Sequence, residues 1–347
     1  MTSIKYPASH SRPFIIPVFI PHAGCPHQCV FCNQVSITGA KPGAATLDKI
    51  RIQIRKFLNY KKENRGPVQI AFFGGNFLGL KQSEIKSCLG LAADFVSQGL
   101  VDGIRFSTRP DTIDKGRLDI LKNYPVSIVE LGVQSMDDQV LALTGRRQSA
   151  EDTIRAVEAL KERQLGIGMQ MMVGLPGDSE ARALVTARKI ADLGPDCVRI
   201  YPTLVVENSR LAKWFKKGEY RPLSIEDAVT LVKKVYLLFR QEGIEVIRMG
   251  LQTSDDLEDG STVLGGPHHP AFGHLVYSEI FWDKVMAAID STGLVKDTLT
   301  IFVNPRSISK MRGLNNSNIK KLKKQFSFGS VEVMSDSSLT EEELRIR

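Results

Sequence analysis

The stretch FIIPVFIPHAGCPHQCVFCNQ, residues 14–34, joins a short β-rich run to three cysteines, Cys25, Cys29 and Cys32, in C-x3-C-x2-C spacing. The whole chain of 347 residues has five cysteines, so this loop concentrates most of them. Pro26, His27 and Gln28 between them are turn-formers, which argues against a plain buried role. A structural zinc site takes four ligands, so these three need His22 or His27 to complete one. Thiolates also hold iron–sulfur clusters. On a four-iron cubane three thiolates leave one iron open, and an open position goes with reactivity rather than structure. The spacing alone leaves both readings standing. The other two, Cys88 and Cys197, fall inside a helical segment and at the start of a strand, and read as core residues.

Outward from that loop, residues 14 to about 205 repeat one pattern: a β-rich run, a turn, then a helix-period segment. The strand runs are FIIPVFI, VQIAFFGG, GIRFSTRP, SIVELGVQS, IGMQMMVGLPG and CVRIYPTLV. Helical segments lie at 46–60, 81–96, 115–123, 150–164 and 179–193. Such alternation implies a parallel sheet with helices outside it. Six units make an incomplete barrel, so the expected fold class is α/β, a partial (β/α)6 barrel. Reactive groups in such sheets gather where strands end. Cys25, Gly74-Gly75-Asn76, Arg109-Pro110-Asp111, Gln134-Ser135 and the turn 174–177 all fall at those ends.

The loop CPHQCVFC, with Phe31 before its third cysteine, resembles the cluster signature of the radical S-adenosylmethionine (SAM) superfamily. FFGGNFLGL is similar to the glycine-rich second-strand motif of that superfamily. STRPD, ELGVQS, MMVGLPGD and RIYPTLVVENSRLAKWFKKGEYRPLS resemble its elongator catalytic-subunit branch, whose characterised members modify wobble uridines of tRNA. LGVQ and GLPG also occur in oxygen-independent coproporphyrinogen oxidases. The resemblance covers residues 14 to about 245. It implies a [4Fe-4S] cluster on Cys25, Cys29 and Cys32, whose open iron binds SAM and whose electron cleaves it to methionine and a 5′-deoxyadenosyl radical. It further implies that Phe31, Gly74, Gly75, Gln134, Arg146 and Gln170 contact SAM, with Arg146 on its carboxylate. A reductant such as ferredoxin or flavodoxin would supply the electron. Two departures stand out: Ser107 where the coproporphyrinogen oxidases have glutamate, and Arg199 where the elongator branch has lysine. The acetyltransferase half of that branch is not recognisable, so its carboxymethylation activity is not carried over.

The composition, 42% hydrophobic and 24% charged, is that of a globular protein, and no apolar run approaches the ~20 residues of a membrane span. Few cysteines and no signal-peptide pattern point to a reducing cytoplasm. A helix at 225–242 and a strand at 244–252 follow the six units. The texture then changes to SDDLEDGSTVLGGPHHPAFGH. The expected division is therefore 1–252 as barrel and 253–347 as a small α/β extension for substrate or nucleic acid. His268, His269 and His274, half of the six histidines, suit a metal site, a proton relay or a cap over the barrel mouth. From Thr298 to Val331 there are seven basic residues and no acidic one, a footprint for phosphate. The order RGLNNSNIKKLKKQFSFGSVEV resembles part of a KH module, with only the first glycine of its GxxG loop. Three functions fit: modification of an RNA base such as in tRNA, a radical reaction on a small molecule such as a tetrapyrrole, or a non-catalytic carrier of a cluster, zinc or haem.

Overall fold

A computed structural model describes residues 13–20, 23–33, 46–60, 66–251, 262–292 and 297–347. The strands come in the expected order: β1 (Phe14–Phe19), β2 (Val68–Phe73), β3 (Gly103–Thr108), β4 (Val126–Gln134), β5 (Gly166–Val173) and β6 (Cys197–Pro202). After a two-residue β7 (Val205–Val206) comes β8 (Glu245–Met249), which pairs parallel with β6. The sheet therefore has seven parallel strands, one more than six repeating units supply, and curls into a half-barrel. Its strand order follows the chain, and among the described residues its two edges do not pair with each other.

Alternation along each strand divides the sheet into two faces. Ile104 and Phe106 of β3, Val129, Leu131 and Val133 of β4, and Val198 and Ile200 of β6 pack outward against the helices. The residues between them, including Arg105, Glu130 and Arg199, take the other face, inside the curl. The helices begin where the sequence provides caps. Ser149 and Asp152 form a reciprocal capping box on Ala150–Glu162, and Ser179 and Ser224 cap Glu180–Asp192 and Ile225–Gln241.

The C-terminal part carries β9 (Val263–Gly265), which pairs with β7, and a three-stranded sheet. In that sheet β10 (Thr298–Val303) lies between a parallel β11 (Ser330–Ser335) and an antiparallel β12 (Leu344–Ile346). The helix Phe272–Thr292 ties the two parts together. Phe272, Val276 and Ile280 belong to the barrel core, while Phe281, Val285 and Ile289 pack with Leu299 and Ile301 of the small sheet and with Met311 of the helix Ile308–Arg312. The division expected at residue 252 lies within 252–261, outside the described residues.

Candidate active site

Because β1–β6 all run the same way, the loops after their ends share one rim. The cysteine loop is stitched there by backbone bonds. The Val30 amide donates to the Thr144 carbonyl (2.9 Å), and the Val30 carbonyl accepts from the Leu211 amide (2.8 Å). The Cys32 amide closes a turn on the Cys29 carbonyl (3.1 Å). Phe31 packs into a small apolar cluster with Leu211, Ala212, Trp214 and Phe215, so the aromatic before the third cysteine anchors the loop to the helix Arg210–Lys216.

The turn after β2 is the other support. Phe77, fully buried, stacks between Phe72 (5.0 Å) and Phe106 (4.6 Å) and fixes the turn to the sheet. Gly74 has φ +99°, a conformation open to glycine. A Cβ on Gly75 would overlap the carbonyls of Ile20 and Ala23, so the cysteine loop itself needs glycine here. Asn76 is wholly buried and joins three segments. Its amide nitrogen donates to the Gly24 carbonyl (2.9 Å) beside Cys25. Its side-chain oxygen accepts from Thr108 Oγ1 (2.6 Å), Thr112 Oγ1 (3.0 Å) and the Arg109 amide (3.0 Å).

Two buried arginines flank the thiols. Arg109 forms a two-pronged pair with Asp111 (2.8 and 2.7 Å), and although burial opposes its charge, Asp111 and the cysteines hold its pKa above the ordinary arginine value. Arg146 is 7% exposed, so it is no surface charge. It donates to Cys29 Sγ (3.6 Å), to Gln148 Oε1 (2.6 Å) and to the Gly132 carbonyl, while its Nε is buried with no partner among the described residues. Burial pulls its pKa down, and Cys29 is the first neighbour acting the other way. Burial and the neighbouring Cys29 push the Cys25 thiol up, against the pull of Arg109 and Arg146.

A model of the radical SAM superfamily matches residues 19–190, and one of the radical SAM C-terminal domain matches residues 195–281. The chain belongs to the radical SAM superfamily. Its members are enzymes, and so is this chain. An uncharacterized protein of Methanocaldococcus jannaschii is 30% identical over 228 residues, 63% of this chain and 70% of that protein. A tRNA uridine(34) acetyltransferase of Methanocaldococcus infernus is 28% identical over 258 residues, 63% of this chain and 48% of the relative. The chain thus spans about half the length of the curated acetyltransferases it matches. The archaeal Elp3 of M. infernus, with an N-terminal deletion, superposes with a TM-score of 0.62 at 21% identity, over 83% of this chain and 65% of that one. That likeness shows the fold.

The superfamily implies a [4Fe-4S] cluster and SAM, and the residues of this radical SAM protein fit them. The donor set is three thiols on one rim loop, and Arg146 Nε is a buried donor in want of an anion. Among the described residues no three cysteine, histidine or carboxylate groups are gathered about one metal ion. A cubane does not require that, since each thiolate takes its own iron. His27 turns Nε2 to the Arg147 amide (3.3 Å), and His22 lies outside the described residues.

Gln134 and Gln170, both expected to contact SAM, lie side by side: Gln170 Nε2 donates to Gln134 Oε1 (3.1 Å). Gln134 is buried at φ +69°, where a shift in the β4–β5 register re-aims it. Deeper in the curl, Glu130 accepts from Arg199 Nε (2.7 Å) and Nη2 (3.2 Å) and pairs with Arg105 Nε (2.9 Å). Arg199 also lies 5.4 Å over the Phe73 ring, so the residue at the branch's lysine position is locked in place. Ser107 is half-buried on β3. The sequence reading placed Asn76 and Arg109 among the strand-end residues of the site without assigning them a role, and it missed Glu130 and Arg105. The period-2 alternation of β3, β4 and β6 was the available signal for the last two. The histidines serve local turns: His269 Nδ1 accepts from the Ala271 amide (3.0 Å), and His274 Nδ1 lies 3.4 Å from Ser278 Oγ. Their segment docks on the rim through β9 and β7.

Proposed function

We propose that this chain cleaves SAM reductively at a [4Fe-4S] cluster on Cys25, Cys29 and Cys32 and uses the radical to modify an RNA base. The observation that carries the reading is the buried Arg146, hydrogen-bonded to Cys29 with its Nε unpaired among the described residues. A buried guanidinium beside the cluster thiols is suited to the carboxylate of SAM, because the fork geometry matches two oxygens. Gly74 and Gly75 leave backbone free of side chains at the rim, and Gln134 and Gln170 offer amide groups to the ribose or amino-acid part. Phe31 holds the loop in position, and Arg109 adds positive charge beside the thiols.

When bound, the cluster supplies the electron that splits SAM into methionine and a 5′-deoxyadenosyl radical, drawn from a reductant of the ferredoxin or flavodoxin kind. RNA as the acceptor is supported by the relatives named tRNA uridine(34) acetyltransferases, and a cytoplasmic setting by the free thiols. The test is anaerobic reconstitution, reduction with SAM, and assay of 5′-deoxyadenosine with and without total RNA. Cleavage that rises with RNA supports the proposal. Cleavage indifferent to RNA removes the RNA base from it, and a fully loaded cluster that never cleaves SAM removes the radical step.

A further inference from the structure

The segment after the barrel is a βααβ unit: β10, the helix Ile308–Arg312, the turn 313–316, the helix Ser317–Phe326 and β11, with β10 and β11 parallel neighbours. Between the turn, the second helix and β11 lies an open cleft of about 510 Å³. Arg312 lines it from the end of the first helix, Asn316 from the turn, Ile319 from the second helix, and residues 331–334 from the strand. We infer that this cleft is a docking groove for single-stranded RNA, separate from the barrel rim. For the choice of RNA over another polyanion it rests on the function proposed above.

Charge and shape both support that occupant. Of the seven basic residues between 298 and 331, three are engaged. Arg306 and Lys310 pair with Glu341 (3.0 and 3.4 Å), and Lys321 sits 3.8 Å from Glu279 and over the Trp282 ring. The other four, Arg312, Lys320, Lys323 and Lys324, are exposed and make no ion pair among the described residues. Lys323 stands one helical turn beyond Ile319 on the same face, with Lys320 and Lys324 next around the helix, whereas Lys321 faces away. Arg312 thus lines the cleft and Lys323 flanks it, beside a floor of Ile319, Val331 and Val333, with Met334 49% exposed at its side. An apolar floor edged by cations takes bases on the floor and phosphates on the lip. In the KH arrangement a loop between two helices clamps the nucleic-acid backbone, and the 313–316 turn holds that position here. Glu332, the one acidic lining residue, is placed to accept from a base amino group. β11 is also a sheet edge, which a peptide strand would fit. Arg312 in the cleft and Lys323 beside it, with Lys320 and Lys324 exposed on the same helix, favour a polyanion.

The experiment uses the full chain and fluorescence anisotropy with a labelled unstructured RNA oligonucleotide and its annealed duplex, across a salt series. Asn315 and Asn316 have φ +52° and +59°, which aspartate tolerates, so the double variant Asn315→Asp/Asn316→Asp keeps the turn while adding two negative charges. The groove predicts that it raises the Kd for single-stranded RNA at least tenfold. The triple variant Arg312→Gln/Lys320→Gln/Lys323→Gln should flatten the log–log salt slope by about 0.7 for each phosphate no longer neutralised, and Lys321→Gln should change nothing. Unchanged affinity in both groove variants overturns the inference, as does equal affinity of the native chain for duplex and single strand. Absence of RNA binding by the native chain also overturns it and leaves the edge to a peptide. The SAM-cleavage assay separates the two claims. RNA-stimulated cleavage with an RNA affinity that the groove variants leave unchanged removes the groove and keeps the RNA base. Groove-dependent binding with cleavage indifferent to RNA keeps the groove and removes the RNA base.

Discussion

Replacing Asn76 with alanine should loosen the cysteine loop without touching a cysteine. The asparagine makes four side-chain hydrogen bonds from a fully buried position. Thr108 Oγ1 keeps other company after the change, since it lies 3.1 Å from Thr112 Oγ1 and accepts from the Leu78 amide. Thr112 Oγ1 still donates to the Arg109 carbonyl (2.7 Å). The Gly24 carbonyl and the Arg109 amide lose this partner. A buried polar group left unsatisfied costs roughly 1–3 kcal/mol, so the two together cost about 2–6 kcal/mol. That is a large share of the ~5–15 kcal/mol by which folded domains are stable. Part of it falls on loop order, because the Gly24 carbonyl regains water if the loop lifts away. Two readouts follow: iron per chain after anaerobic reconstitution, and the urea midpoint of the cluster-free protein. The expected result is a lowered midpoint together with substoichiometric iron. A variant with native midpoint and full iron would refute the role assigned to Asn76.

Arg146→Lys should keep cluster loading near native while SAM affinity falls ten- to a hundredfold. Hydrogen bonds to charged groups are worth about 1.5–3 kcal/mol and lysine lacks the fork; equilibrium dialysis against SAM checks it. Glu130→Gln leaves Arg105 and Arg199 buried without a carboxylate and should destabilise the barrel by ~3–5 kcal/mol in urea titration. Burial pushes the Cys88 thiol up to about 11 and the Cys197 thiol up to about 12. At pH 8, below both values, each stays a neutral thiol, so iodoacetamide should leave them unlabelled in the native protein. The loop cysteines should be labelled only when the cluster is absent, which peptide mass spectrometry reads directly.

Much of the site was legible because its signals are local. The cysteine spacing, the glycines after β2 and the residues at strand ends each lie within a few positions, and parallel pairing alone brings them to one rim. Arg146 was legible only as a position; its burial beside Cys29 depends on a contact 117 residues away. The Asn76 junction and the Arg105–Glu130–Arg199 network were not legible, since each joins segments far apart in sequence and needs the strand register to be known. β12 is three residues in a polar tail, with β10 as its template. The helix Phe272–Thr292 serves two cores, which no composition shift records.

The most direct test is 5′-deoxyadenosine formation by the reconstituted, reduced chain beside a Cys29→Ala variant carried through the same steps. The account predicts SAM-dependent product from the native chain and none from the variant. A native chain with a full cluster and no product, or equal product from both, would contradict it.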